Sequence, residues 1–78
     1  MAITVYIERI QRLDQLISMR ATGTPQQLAD RLAISRRMLY EYIHTLEDMG
    51  GSIAYNRAAR SYYYTNDARL EIKFKKIG

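Results

Sequence analysis

At 78 residues, with no cysteine and a single histidine, the chain has room for one small domain and lacks the side chains that disulfides or a structural zinc site require. Its 47% hydrophobic content argues against wholesale disorder, and a formal charge of +4 with a pI near 9.6 leans weakly toward nucleic acid as a partner. The opening MAITVYIERIQR has no basic region followed by an apolar run, so a secretory leader is not expected. No apolar run approaches the roughly 18 residues of a membrane span, and the expected location is the cytoplasm.

The first element is legible from spacing. Ile3, Ile7, Ile10, Leu13, Leu16 and Ile17 recur every three or four residues, which predicts an amphipathic helix over about 4–20. Its start is blurred, because Ile3-Thr4-Val5-Tyr6-Ile7 is rich in strand formers. Arg9, Arg12, Asp14 and Gln15 fall on its polar side. Ala21-Thr22-Gly23 then breaks the period.

Thr24-Pro25-Gln26-Gln27 has the form of a helix start. Thr24 can cap, Pro25 suits the first helical position, and Gln27 stands where a capping-box partner reaches back. This second helix is predicted over 25–32, with Leu28, Ala29 and Leu32 on one side. Ala33-Ile34 is too short for a flexible loop. Ser35 can cap a third helix over 36–49, and Gly50 suits its end. There Leu39, Tyr42, Ile43 and Leu46 form the apolar stripe. Arg36, Arg37, Tyr40, Glu41 and His44 occupy the rest. Helices joined this tightly cross steeply, and the second of such a pair projects from the body, shaped to enter a DNA major groove.

Past Gly50-Gly51 the period changes toward two. Ile53-Ala54-Tyr55 and Tyr62-Tyr63-Tyr64 read as paired strands, with 56–61 between them and the whole hairpin over about 52–65. Leu70, Ile72 and Phe74 alternate with charged residues and predict a further strand over about 69–75. The expected organisation is a single α+β domain over 1–78: three helices, a β-hairpin wing and a terminal strand.

The run LADRLAISRRMLYEYIHTLEDMGGSIAYNRAARSYYY resembles the winged helix-turn-helix domains at the amino termini of DeoR-type and biotin-repressor-type bacterial regulators. Leu28-Ala29, Leu32, Ile34-Ser35, Leu39, Ile43, Leu46, Gly50, Ile53 and the Tyr62–Tyr64 end of the hairpin carry the resemblance. It implies a DNA-binding transcriptional regulator. Three positions depart from the pattern. Ala33 stands where glycine is usual; at positive φ alanine costs about 1 kcal/mol, which leaves open a turn built differently. Glu41 stands where arginine is usual, and a carboxylate there repels phosphate, although it can accept from a cytosine amino group. Met38 replaces a threonine. The related regulators continue into an effector or catalytic domain, and no such continuation is expected here.

Several residues are candidates for a DNA interface. Arg36 and Arg37 open the projecting helix, where arginine can pair bidentately with guanine or hold phosphate; the competing reading is a solvated surface. Tyr40 and His44 follow on the same face. Tyr40 suits a phosphate or a thymine methyl, whereas His44 reads more readily as an ordinary surface residue than as a reader of bases. Thr24 and Ser35 are explained by capping, yet Thr24, Gln26, Gln27 and Ser35 sit at helix starts that can face phosphate. Arg57 and Arg60 flank the hairpin tip, and the segment 51–66 holds no acid. They suit a phosphate or the minor groove, or simply keep the hairpin soluble. Among the tyrosines, Tyr55 and two of the three in 62–64 are expected in the core, with the third pointing away.

No nucleophile with a relay histidine and no glycine-rich phosphate loop is present, so neither catalysis nor a cofactor is expected. Two alternatives to a duplex-reading regulator stay open: a winged helix that docks a protein partner, and an excision-type factor that bends DNA. A weak homodimer is also expected, because a lone winged domain reads few base pairs. Its surfaces would be the start of the first helix or the terminal strand, unless these fold back on their own domain.

Overall fold

The computed structural model of the chain describes residues 2–67 and Leu70. Helix α1 spans Ile3–Ser18, α2 spans Pro25–Leu32 and α3 spans Arg36–Asp48. Strands β1 (Ile53–Asn56) and β2 (Ser61–Tyr64) pair antiparallel, with Tyr55 opposite Tyr62. Each helix ends within two residues of its expected limit. The hairpin falls within its expected limits, but each strand is one residue longer than expected, since Asn56 and Ser61 form the last pair rather than belonging to the loop. The expected strand over 69–75 lies outside the described residues except for Leu70, which is half-buried against the core.

One core joins all the elements. Ile10, Leu13 and Ile17 of α1 meet Leu28, Ala29 and Leu32 of α2, then Leu39, Tyr42, Ile43 and Leu46 of α3, with Tyr62 of β2 closing one side. Each large aliphatic side chain buried there contributes about 1.5–3 kcal/mol. The apolar stripe of α1 does not bury from end to end: Ile3 is 72% exposed. Tyr6 is the first residue of α1 to engage, its ring set edge-on to Tyr42 at 5.0 Å and its hydroxyl donating to Thr45 Oγ1 at 3.3 Å.

All three helices close in the same way. The Ala21 N–H donates to the Leu16 carbonyl, Ile34 to Ala29, and Gly51 to Leu46; the preceding amides of Arg20, Ala33 and Gly50 donate to Ile17, Asp30 and Glu47. This pairing satisfies terminal carbonyls, and it places one residue in the left-handed region. Those residues are Arg20 at φ 53°, Ala33 at φ 56° and Gly50 at φ 111°. Ala33 therefore occupies the glycine position of the turn without any rebuilding. Beyond Gly50 the chain leaves close to α3, since a Cβ on Gly51 would sit 3.0 Å from the Tyr64 ring and 3.2 Å from the Leu46 carbonyl.

The hairpin is held at both faces. Ile53, Tyr55, Tyr62 and Tyr64 share the face packed on the core, so Tyr63 is the member of the tyrosine run that points away, as the alternation requires. The Tyr64 hydroxyl donates to Asp14 Oδ1 of α1 at 2.6 Å. On the other face the α1–α2 linker covers β2. Thr22 and Ser61 are both buried; the Thr22 N–H donates to Ser61 Oγ at 3.2 Å and the Tyr62 N–H donates to Thr22 Oγ1 at 2.9 Å. Where the hairpin begins and ends, Thr65 donates its N–H to the Ser52 carbonyl at 2.8 Å, and Asn66 Nδ2 donates to the Gly50 carbonyl at 3.1 Å. Three helices with a braced two-stranded wing make a winged helix-turn-helix arrangement.

Candidate nucleic-acid interface

The buried stripe of α3 fixes which residues face outward. With Leu39, Tyr42, Ile43 and Leu46 turned in, Arg36, Arg37, Tyr40, Glu41, His44, Glu47 and Asp48 are all exposed. The helix begins at Ser35, whose side chain accepts from the Met38 N–H at 3.1 Å. Capping thus explains Ser35, and it also aims the first turn, with its two arginines, away from the core.

The arginines differ in their surroundings. Arg36 Nη2 donates to the Tyr40 hydroxyl at 3.3 Å, one turn along the helix. That hydrogen bond raises the Arg36 pKa above its already high ordinary value, so the group is a permanent cation. Tyr40 in turn lies beside the wing: burial, with the charges of Tyr40 and Tyr55 adding to it, pushes the Tyr62 phenol up to about 12. Arg36 and Tyr40 of α3 are thus close enough to Tyr62 of β2 to act on its phenol. Arg37 is exposed and has no hydrogen-bond partner among the described residues.

Charge along α3 is asymmetric. The first turn is basic, Glu41 follows roughly 6 Å beyond Arg37, and Glu47 and Asp48 lie about 15 Å or more along the axis. The acids that dilute the helix as a whole are thus mostly at its far end, whereas the start of such a helix is the part that reaches base edges. His44 is 78% exposed, with Nδ1 3.4 Å from Glu47 Oε1. This contact ties it to the acidic end.

At the start of α2 the expected capping box is formed. Thr24 Oγ1 accepts from the Gln27 N–H at 3.2 Å, and Gln27 Oε1 accepts from the Thr24 N–H at 2.9 Å. Gln26 Nε2 donates to Asp30 Oδ1 at 2.9 Å. All three side chains are engaged in building the helix, which leaves mainly backbone N–H groups at this end to meet an anion. Arg57 and Arg60 lie in the exposed turn between β1 and β2. Asn56 Oδ1 accepts from the Ala59 N–H at 3.0 Å and shapes that turn, and Arg60 has positive φ, 51°.

The fold therefore sets Arg36, Arg37 and Tyr40 at one projecting helix start and carries Arg57 and Arg60 on a separate tip. Three features escaped the sequence reading: the Thr22–Ser61 pairing, the Asp14–Tyr64 hydrogen bond and a guanidinium–ring contact between Arg20 and Tyr63 at 5.3 Å. Each joins residues about 40 or more positions apart, and no local pattern announces such a pairing. The one available hint was Thr22 within an otherwise small Ala-Thr-Gly break.

A family model described as an HTH domain, a helix-turn-helix, matches residues 8–63. The chain belongs to this helix-turn-helix family. The match runs from α1 through β2, so this helix-turn-helix domain includes the wing as well as the paired helices. The family is one of DNA-binding domains, which accords with the basic start of α3. No curated protein and no solved structure matches the chain. No helix among the described residues is long and apolar enough to cross a membrane, and no cluster among them has the donors for a metal ion.

Proposed function

We propose that this helix-turn-helix protein binds double-stranded DNA with sequence preference, as a small cytoplasmic bacterial transcriptional regulator of the DeoR or biotin-repressor kind, acting without catalysis or cofactor. The first turn of α3 enters the major groove, with Arg36 and Arg37 at base edges or phosphates and Tyr40 beside them. The wing rests on the backbone or minor groove through Arg57 and Arg60. The observation that carries this reading is the pairing of an exposed, basic helix start with a basic wing tip on one braced framework. Two copies on neighbouring half-sites supply the specificity that one domain lacks.

The test is affinity for a pool of random duplexes at low and physiological salt. Binding should weaken linearly in log–log form as phosphate-bound counterions are released, and the recovered sequences should share a motif. Absence of binding at low salt would overturn the reading. One observation favours a rival, a protein partner docked on α3: Glu41, His44 and Asp48 share the exposed surface with Arg37. Capture of partners from nuclease-treated lysate separates the two, because a complex that survives loss of nucleic acid supports protein contact. A circular-permutation gel assay distinguishes a DNA-bending factor from a simple reader.

A further inference from the structure

The outer face of the wing carries a cation that the reading above does not use. Arg20 ends α1 in the left-handed conformation, at φ 53°, where a side chain is strained and glycine is favoured. Its guanidinium lies over the Tyr63 ring, 5.3 Å from the centroid. Together with Asn56, Ala59 and Ser61 these two residues line a cavity of about 230 Å³ between the α1–α2 linker and the wing. Ala59 of its lining belongs to the exposed turn that also bears Arg57 and Arg60, and residues 51–66 contain no acid. The buried Thr22–Ser61 pairing fixes its floor, so the linker cannot drift from β2. A guanidinium, a neighbouring amide and a phenol supply the donors that a tetrahedral oxyanion takes, and the space has ample room for one. The contact with the Tyr63 ring positions the guanidinium carbon without using its N–H groups as hydrogen-bond donors.

We propose that the Arg20–Tyr63 cavity is a phosphate subsite that seats one phosphodiester of bound duplex on the side of the wing opposite α3. This rests on the DNA-binding reading and extends the contacted backbone past the wing tip. The subsite supplies affinity without sequence preference, because phosphates carry no base identity.

The test exploits the strain at Arg20. Arg20→Gly removes the guanidinium yet suits the left-handed backbone, so the variant should melt no lower than the parent protein. Its log affinity against log salt should fall in slope by about 0.9, the increment for one phosphate, equally on preferred and random duplexes. Arg20→Lys should restore the slope but only part of the affinity, since it returns the charge without the planar fork. An unchanged slope in Arg20→Gly, with the parent protein still binding, would overturn the subsite and leave the preceding reading intact. Failure of the parent protein to bind any duplex would sink both. A third arm titrates inorganic phosphate while following Ser61 and Tyr63 amide resonances. Saturable binding that Arg20→Gly abolishes while duplex affinity stays unchanged would assign the cavity to a free phosphoryl ligand and overturn the duplex contact.

Discussion

Two residues show how single side chains trade stability against use. Ala33 holds the turn between α2 and α3 at φ 56°, a conformation in which a Cβ is a burden. Ala33→Gly should therefore stabilise the protein by about 1 kcal/mol, a rise of roughly 4–8 °C in the melting temperature of so small a domain. Glycine's greater freedom in the unfolded chain works against part of this gain. Thermal unfolding with DNA absent measures the net, and a lower melting temperature would show that the alanine methyl contributes packing that outweighs its strain. Tyr40 acts differently. Its hydroxyl receives the Arg36 hydrogen bond and thereby limits where that guanidinium can point. Tyr40→Phe should keep the fold, because Tyr40 is partly exposed and the ring is retained. If Arg36 reads a base, the substitution should narrow discrimination at one base pair while leaving affinity for unrelated sequences nearly constant. Competition binding on matched and singly mismatched duplexes reads this directly, and an equal loss on all sequences would make Tyr40 a phosphate contact instead.

At the scale of elements, the wing depends on the linker that precedes α2. Thr22 and Ser61 are buried and exchange hydrogen bonds that also reach the Tyr62 amide. Removing one hydroxyl leaves buried groups without a partner, so Thr22→Val and Ser61→Ala should each cost about 1–3 kcal/mol. Applied together they should cost less than their sum, with a coupling of about 0.5–3 kcal/mol in a double-mutant cycle by urea unfolding. Simple additivity would show that the two hydroxyls act independently. The contrast between local and distant information explains what the sequence disclosed. Helix spans, the Thr24 and Ser35 caps, the Gly50 stop and the inward tyrosines follow from spacing and from neighbours three or four residues away, and these appear as expected. The candidate interface was legible to the same extent, because Arg36, Arg37 and Tyr40 inherit their exposure from the buried stripe of their own helix. Arg20 was not, since its importance depends on Tyr63, which only the fold brings near. Nor was the closure at Ala33, where backbone hydrogen bonds outweigh the residue's own preference.

At the scale of the whole molecule, pH acts through the tyrosines that face the core. Burial pushes the Tyr62 phenol up to about 12 from its ordinary 10.0. Burial also raises Tyr64, and the hydrogen bond to Asp14 adds to the shift. Both phenols favour the neutral form when folded, so their contribution is complete below the unfolded value of 10.0; that of Tyr62 is lost as pH climbs toward about 12, and that of Tyr64 is lost at still higher pH. Urea midpoints should hold steady on the acid side of that window and fall within it, and Tyr62→Phe should blunt the fall. A flat midpoint through the alkaline range would show that these phenols ionise without resisting burial. Assembly belongs to the same scale. Ile3 is 72% exposed at the start of α1, whereas Leu70 packs against its own core. The start of α1 is thus available for pairing, whereas Ile72 and Phe74 of the other surface considered lie outside the described residues. A weak homodimer completed on DNA should appear in sedimentation at micromolar concentration with a two-half-site duplex and weaken in Ile3→Glu. One-to-one stoichiometry on such a duplex would exclude it.

The brace between Thr22 and Ser61 also bears on what counts as a separable part. Helix-turn-helix units are often treated as a trihelical module to which a wing is appended, and so as pieces for grafting or trimming. Here the wing reaches into the module's earliest joint, supplies Tyr62 to its core and anchors Asp14 in the C-terminal half of α1. Cutting the chain after Gly50 would uncover one wall of the core and strip the linker of its buried partners. The smallest autonomous unit is therefore the helices with their wing, and a transplanted α3 carries its setting only if β2 travels with it.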